Sequence, residues 1–202
     1  RVKGVPTSTR TAELARSLGV PVTSLDDAKW LDLTIDGADE FDPQLNLIKG
    51  GGAALLQEKI VATASDQMIV ITDAAKEVAQ LGAFPLPVEV IPFGWQTTKA
   101  LSEETLVSMD VLDRDVTLRM NGQAPLVTDE ANYIVDLHLK RIGNPRQLAL
   151  VLNQIPGVVE NGLFIDICDK VIIGHGDGRV VTRDINSGET LDEQIEFADS
   201  DN

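Results

Sequence analysis

The feature that most constrains this chain is the alternation, through its first third, of short apolar runs with segments patterned as helices. That alternation is the sign of crossover units in a parallel sheet, because a parallel neighbour cannot be reached through a tight turn. Residues 7–18 read as a helix opened by Thr7 or Ser8 and closed by Gly19. Residues 20–22 and 31–35 read as strands, the second ending abruptly in Asp36-Gly37-Ala38-Asp39. After Gly50, Gly51 and Gly52 comes a helix over 53–64, then a strand over 68–72, with Asp73 as cap for a short helix through Lys76.

From Phe84 the character changes, with Pro85, Pro87 and Pro92 marking a boundary or an edge strand. Strands over 88–91, 116–120 and 133–139, helices over 97–108 and from Asn144-Pro145 to before Pro156, and a strand from Val158 follow in the order β-α-β-β-α-β. The expectation is an α/β protein: a Rossmann-like parallel-sheet domain (1–87 and 162–202, N-terminally incomplete) with an inserted α+β domain of split βαβ, ferredoxin-like type (88–161). Residues 162–167 and 171–173 are expected to return to the first sheet, and the Gly174 to Gly178 segment to be a hairpin turn.

A formal net charge of −15 sets the chain against nucleic acid or an anionic membrane as partner. Any phosphate-bearing ligand must then meet locally placed cations or backbone N–H groups. No apolar run approaches the roughly 18 to 20 residues of a membrane span. The lone cysteine, Cys168, sits in an apolar stretch and reads as packing in a reducing cytosol. The histidines, His138 and His175, have no neighbours at metal-ligand spacing, so no metal is expected. Past Arg183 the chain is acidic (Asp184, Glu189, Asp192, Glu193, Glu196, Asp199, Asp201) and reads as a solvated, frayed tail.

Three local features carry chemistry. Asp36 and Asp39 stand at a strand's carboxyl end, where open α/β sheets gather ligands, although Asp36-Gly37 is also an ordinary turn. Lys49-Gly50-Gly51-Gly52 runs into a helix start, a loop able to bring backbone N–H groups to an oxyanion; the alternative is a flexible connection with a surface lysine. Glu58 has Ala54, Leu55, Val61 and Ala62 as its helical neighbours, so it is either a desolvated base or a carboxylate reaching water from the helix edge. Lys59 faces another way, whereas Lys49 is placed to reach Glu58 or a substrate between them. Lys76, near a further strand end, is a phosphate-binding cation or a surface lysine.

Asp36-Gly37-Ala38-Asp39-Glu40, Ile48-Lys49-Gly50-Gly51-Gly52-Ala53-Ala54-Leu55 and Glu58-Lys59-Ile60 together resemble ribose-5-phosphate isomerase A. So do the segment from Gly82-Ala83-Phe84-Pro85 to Val90 and Ile155-Pro156-Gly157-Val158-Val159. The resemblance implies a cytosolic, homodimeric, cofactor-independent isomerase of the pentose phosphate pathway acting on a small phosphosugar. It implies Glu58 as proton acceptor, with Asp36, Gly37, Ala38, Asp39, Lys49, Gly50, Gly51, Gly52 and Lys76 contacting substrate. The family's first strand and its Gly-Thr-Gly-Ser-Thr loop have no counterpart from Arg1 onward, so a piece of a longer product is expected. The competing reading is a sugar-phosphate sensor that binds without turnover. A sugar-phosphate deaminase or acyl-CoA transferase on a related fold would instead release ammonia or form a glutamyl thioester.

Overall fold

The computed structural model describes residues 2–195. Glu196, Asp199 and Asp201 of the acidic tail lie outside the described residues. The first sheet has five strands, in the order Thr34–Asp36, Met68–Asp73, Lys170–Gly174, Arg179–Asp184 and Thr190–Gln194. Only the first three are mutually parallel; the last two are added as antiparallel hairpins. The expected parallel sheet is therefore mixed. The turn at 174–178 forms the first hairpin as expected, but the acidic segment up to Gln194 is an edge strand, held through Arg179 and Asp192, and not a frayed tail.

The helix Thr9–Ser17 is capped by Ser8, whose hydroxyl accepts from Thr11 N–H at 3.1 Å. Residues 20–22 do not form a strand of the sheet. Pro21 has no N–H to donate, and the segment makes only a single bridge between Val22 and Gly4. Nor do residues 162–167 return to the first sheet. Leu163–Phe164 pairs with Leu47–Ile48, which pairs with Glu40–Phe41, in a separate three-stranded sheet.

A four-stranded antiparallel sheet in the order Val158–Asn161, Leu86–Val90, Tyr133–His138 and Asp115–Leu118 carries the helices Trp95–Leu106 and Pro145–Leu152. This is the strand order expected of a split βαβ unit. Alternate residues Leu86, Val88 and Val90 join Val116, Val135 and Leu137 and the helix residues Leu106, Leu148 and Leu152 in one apolar cluster. A second cluster, built on Phe41, Leu47, Met68, Val70, Phe164, Val171 and Ile173, underlies the five-stranded sheet. Among the described residues no helix is long and apolar enough to cross a membrane.

Candidate active site

The Thr34–Asp36 strand pairs in parallel with Met68–Asp73, which puts Asp36 at the carboxyl end of the sheet opposite Val70. The chain then turns through Gly37 and Ala38, enters the small three-stranded sheet, and leaves it at Lys49. Gly162 fixes that exit. Its carbonyl accepts from Lys49 N–H at 2.9 Å, and a Cβ there would stand 2.2 Å from the Lys49 carbonyl oxygen, so only glycine allows the two backbones this close. The glycine loop leads into the helix Leu55–Thr63, which buries Leu55, Val61 and Ala62 and turns Glu58 back toward the loop.

Asp36, Lys49 and Glu58 converge. Lys49 Nζ lies 3.1 Å from Asp36 Oδ2 and 3.3 Å from Glu58 Oε2, and donates to the Gly37 carbonyl at 2.6 Å. Its side chain is only 4% exposed, which settles the surface-lysine alternative. Behind the site the fully buried Phe164 ring has its centroid 5.6 Å from the same ammonium. Asp36 Oδ2 and Glu58 Oε2 are both buried, and among the described residues neither has a hydrogen-bonding partner beyond its ion pair with Lys49. Burial pushes the Glu58 carboxyl above its ordinary range; Lys49 opposes this, and Asp36 and Asp39 reinforce it. A carboxylate that water solvates poorly and that is only loosely paired is a stronger base than an exposed one.

Asp39 faces the loop and accepts from Gly51 N–H at 2.7 Å. Asp36, Gly37, Ala38, Asp39, Lys49, Gly50, Gly51, Gly52 and Glu58 together line a cavity of about 210 Å³. Gly52 and Glu58 also wall a neighbouring cavity of about 560 Å³ lined by Ser8, Arg10, Thr11, Thr128 and Asp129. Lys76 does not line either cavity. It ends the short helix Ala74–Lys76, capped by Asp73, beyond the strand next to Asp36, and is half-buried.

Lys59, expected to face away from Glu58, and Arg119, which the sequence did not single out, complete the surroundings. Lys59 turns away from Glu58, as its neighbouring position requires, and pairs with Glu160 at 2.9 Å. Arg119 donates to the Gly50 carbonyl at 2.7 Å from outside the cavity.

Residues 3–178 match the family described as ribose 5-phosphate isomerase A (phosphoriboisomerase A). Over 202 residues the chain is 74% identical to a ribose-5-phosphate isomerase A of Ruegeria pomeroyi, covering 100% of this chain and 77% of that protein. A counterpart from Cereibacter sphaeroides is 79% identical over 189 residues, 94% of this chain and 72% of the relative. Among solved structures, a D-ribose-5-phosphate isomerase in complex with phospho-erythronic acid is similar with a TM-score of 0.82 at 43% identity, covering 90% of this chain and 77% of that one. The ribose 5-phosphate isomerase A of Methanocaldococcus jannaschii gives a TM-score of 0.82 at 37% identity, covering 91% and 78%. With its sequence, its fold and its glycine-loop cavity in agreement, the chain belongs to the ribose 5-phosphate isomerase A family.

Proposed function

We propose that this chain interconverts D-ribose 5-phosphate and D-ribulose 5-phosphate through an enediolate, with Glu58 as the general base. The observation that carries the reading is the desolvated Glu58 carboxyl 3.3 Å from an ammonium that also meets Asp36, on the wall of a glycine-lined cavity. Glu58 takes the proton from C2 of the open-chain aldose, and the C–H electron pair becomes the C1–C2 double bond as the C1 carbonyl oxygen gains negative charge. Lys49 and loop N–H groups hold that oxygen. Glu58 then returns its proton to C1, while Asp36 moves the hydroxyl proton from O2 to O1, leaving a carbonyl at C2. No electrons leave the substrate, so the balance closes on the chain's own residues. Asp39 assists ring opening, and Lys76, beyond the strand next to Asp36, receives the phosphate.

The chain acts as a cytoplasmic homodimer, and residues 88–161 form an inserted domain between 1–87 and 162–202; the family resemblance supports both readings. Phospho-erythronic acid presents a carboxylate where the substrate carries its reacting oxygens, and it is expected to compete with ribose 5-phosphate. The direct test incubates the protein with ribose 5-phosphate and follows ribulose 5-phosphate. Conversion is expected; saturable binding of the sugar without conversion would identify a sensor and sink the isomerase reading.

A further inference from the structure

The glycine loop poses an orientation problem. Consecutive glycines impose little preference on their peptide planes, so each peptide can turn either its N–H or its carbonyl toward a ligand. A carbonyl facing an enediolate would repel it, and an N–H would stabilise it. Something outside the loop must therefore set the planes.

Arg119, just beyond the Asp115–Leu118 strand of the four-stranded sheet, is built to do so. Its backbone is pinned on both sides, N–H to the Ile134 carbonyl at 2.8 Å and carbonyl from Leu126 N–H at 2.9 Å. Its guanidinium is gripped bidentately by Asp136, with Nε 2.8 Å from Oδ2 and Nη2 against Oδ1. That leaves Nη1 to donate to the carbonyls of Gly50 at 2.7 Å and Gly51 at 3.2 Å. Both side chains of the Arg119–Asp136 pair are about 85% buried, at 15% and 14% exposure, so the fork has little freedom.

The peptides are all trans, so each N–H points opposite to its carbonyl. Drawing the Gly50 carbonyl to Arg119 sends Gly51 N–H to Asp39 on the cavity side, which is where it is found. The Gly50 carbonyl also accepts from Ala53 N–H at 3.0 Å, whereas among the described residues the Gly51 carbonyl has Arg119 alone. Its orientation depends on the guanidinium, and with it that of the Gly52 N–H, which points opposite to the Gly51 carbonyl in the trans peptide of a residue that lines the cavity.

We infer that Arg119 is a positioning residue, which holds the Gly50 and Gly51 carbonyls to itself so that the Gly51 N–H is kept on Asp39 and the Gly52 N–H is left for the enediolate. This rests on the isomerase reading for the identity of the anion. The test measures kcat and KM with ribose 5-phosphate, Kd for phospho-erythronic acid, and Tm, for the wild type, Arg119→Met and Arg119→Lys. Arg119→Met is expected to lower kcat about 10- to 100-fold, less than outright loss of an oxyanion donor, and to weaken the acid's binding about tenfold. Arg119→Lys should recover part of both losses, because one ammonium can still meet one carbonyl. A folded Arg119→Met with kcat and Kd within about twofold of the wild type would overturn the inference. Should Arg119→Met not fold, Asp136→Asn removes the carboxylate that grips the fork and leaves the Arg119 guanidinium in place, and unchanged kcat and Kd there would overturn it equally. A wild type that binds the acid but converts nothing sinks only the isomerase reading, and the ratio of the two binding constants still decides the role of Arg119.

Discussion

At the scale of single residues, Glu58 holds two demands in opposition. Burial raises its pKa above the ordinary 4.5 and so disfavours the charged form that catalysis requires, while Lys49 opposes the shift. The acid limb of kcat/KM should therefore fall at a higher pH than an exposed glutamate would give. The stability consequence has the opposite sense. A carboxyl raised above its unfolded value favours folding at low pH and penalises it increasingly as pH climbs from the unfolded pKa through the folded one. Glu58→Gln removes that penalty and leaves Lys49 its contact with Asp36. We expect a Tm near neutral pH equal to or above the wild type, together with a rate loss of about 10² to 10⁴; a lower Tm with the rate retained would contradict both halves. Asp36, Lys49 and Glu58 were legible in sequence because strand end, glycine loop and apolar helix neighbours are local signals. Arg119 was not, because it lies 68 residues from Gly51, and an arginine at a strand end reads as surface charge until the partner loop is in place.

At the scale of elements, the strands of the large sheet that carry apolar runs, and the helices with side-chain caps at Ser8 and Asn144, were readable. The two-residue strands Glu40–Phe41, Leu47–Ile48 and Leu163–Phe164 were not, being too short to show a period. They matter because the first two carry the chain between Asp36 and the glycine loop and the third pairs with the second. Within that loop Gly51 is open to a sharp test. A Cβ there would stand 2.6 Å from Asp39 Oδ1, the free end of a side chain and not backbone, so the fold can yield by moving Asp39. Gly51→Ala should consequently change stability by no more than about 1 kcal/mol, while Asp39 is displaced and turnover falls by about tenfold or more. Chemical denaturation beside steady-state kinetics separates the two effects. Equal loss of stability and activity would mean that the loop is part of the folding core.

At the scale of the whole molecule, the helix bearing Glu58 is held by the four-stranded sheet as well as by its own. Lys59 Nζ donates to Glu160 Oε1 at 2.9 Å and to the Asn161 carbonyl at 2.6 Å, and stands 4.9 Å from the Phe164 centroid, the ring that Lys49 approaches from the active site. Gln57 meets Glu130, in the turn that leads into the Tyr133–His138 strand of that sheet. Burial lowers the Lys59 pKa against the pull of Glu160, so on the lysine's side desolvation outweighs the attraction. Such a pair adds little net stability, yet breaking it is costly because the survivor stays desolvated. Glu160 keeps donors from Asn153 and Asn161 N–H, which softens the loss. Lys59→Met should then cost about 2–3 kcal/mol in urea unfolding, at or below the range for a fully buried pair. Adding Glu160→Gln should recover part of it, with a coupling between about 0.5 and 3 kcal/mol. Turnover in Lys59→Met should drop as well, since the helix that aims Glu58 loses a tie to the sheet behind it. Losses that simply add across the double-mutant cycle would show the two side chains to be independent, leaving packing alone to orient the base.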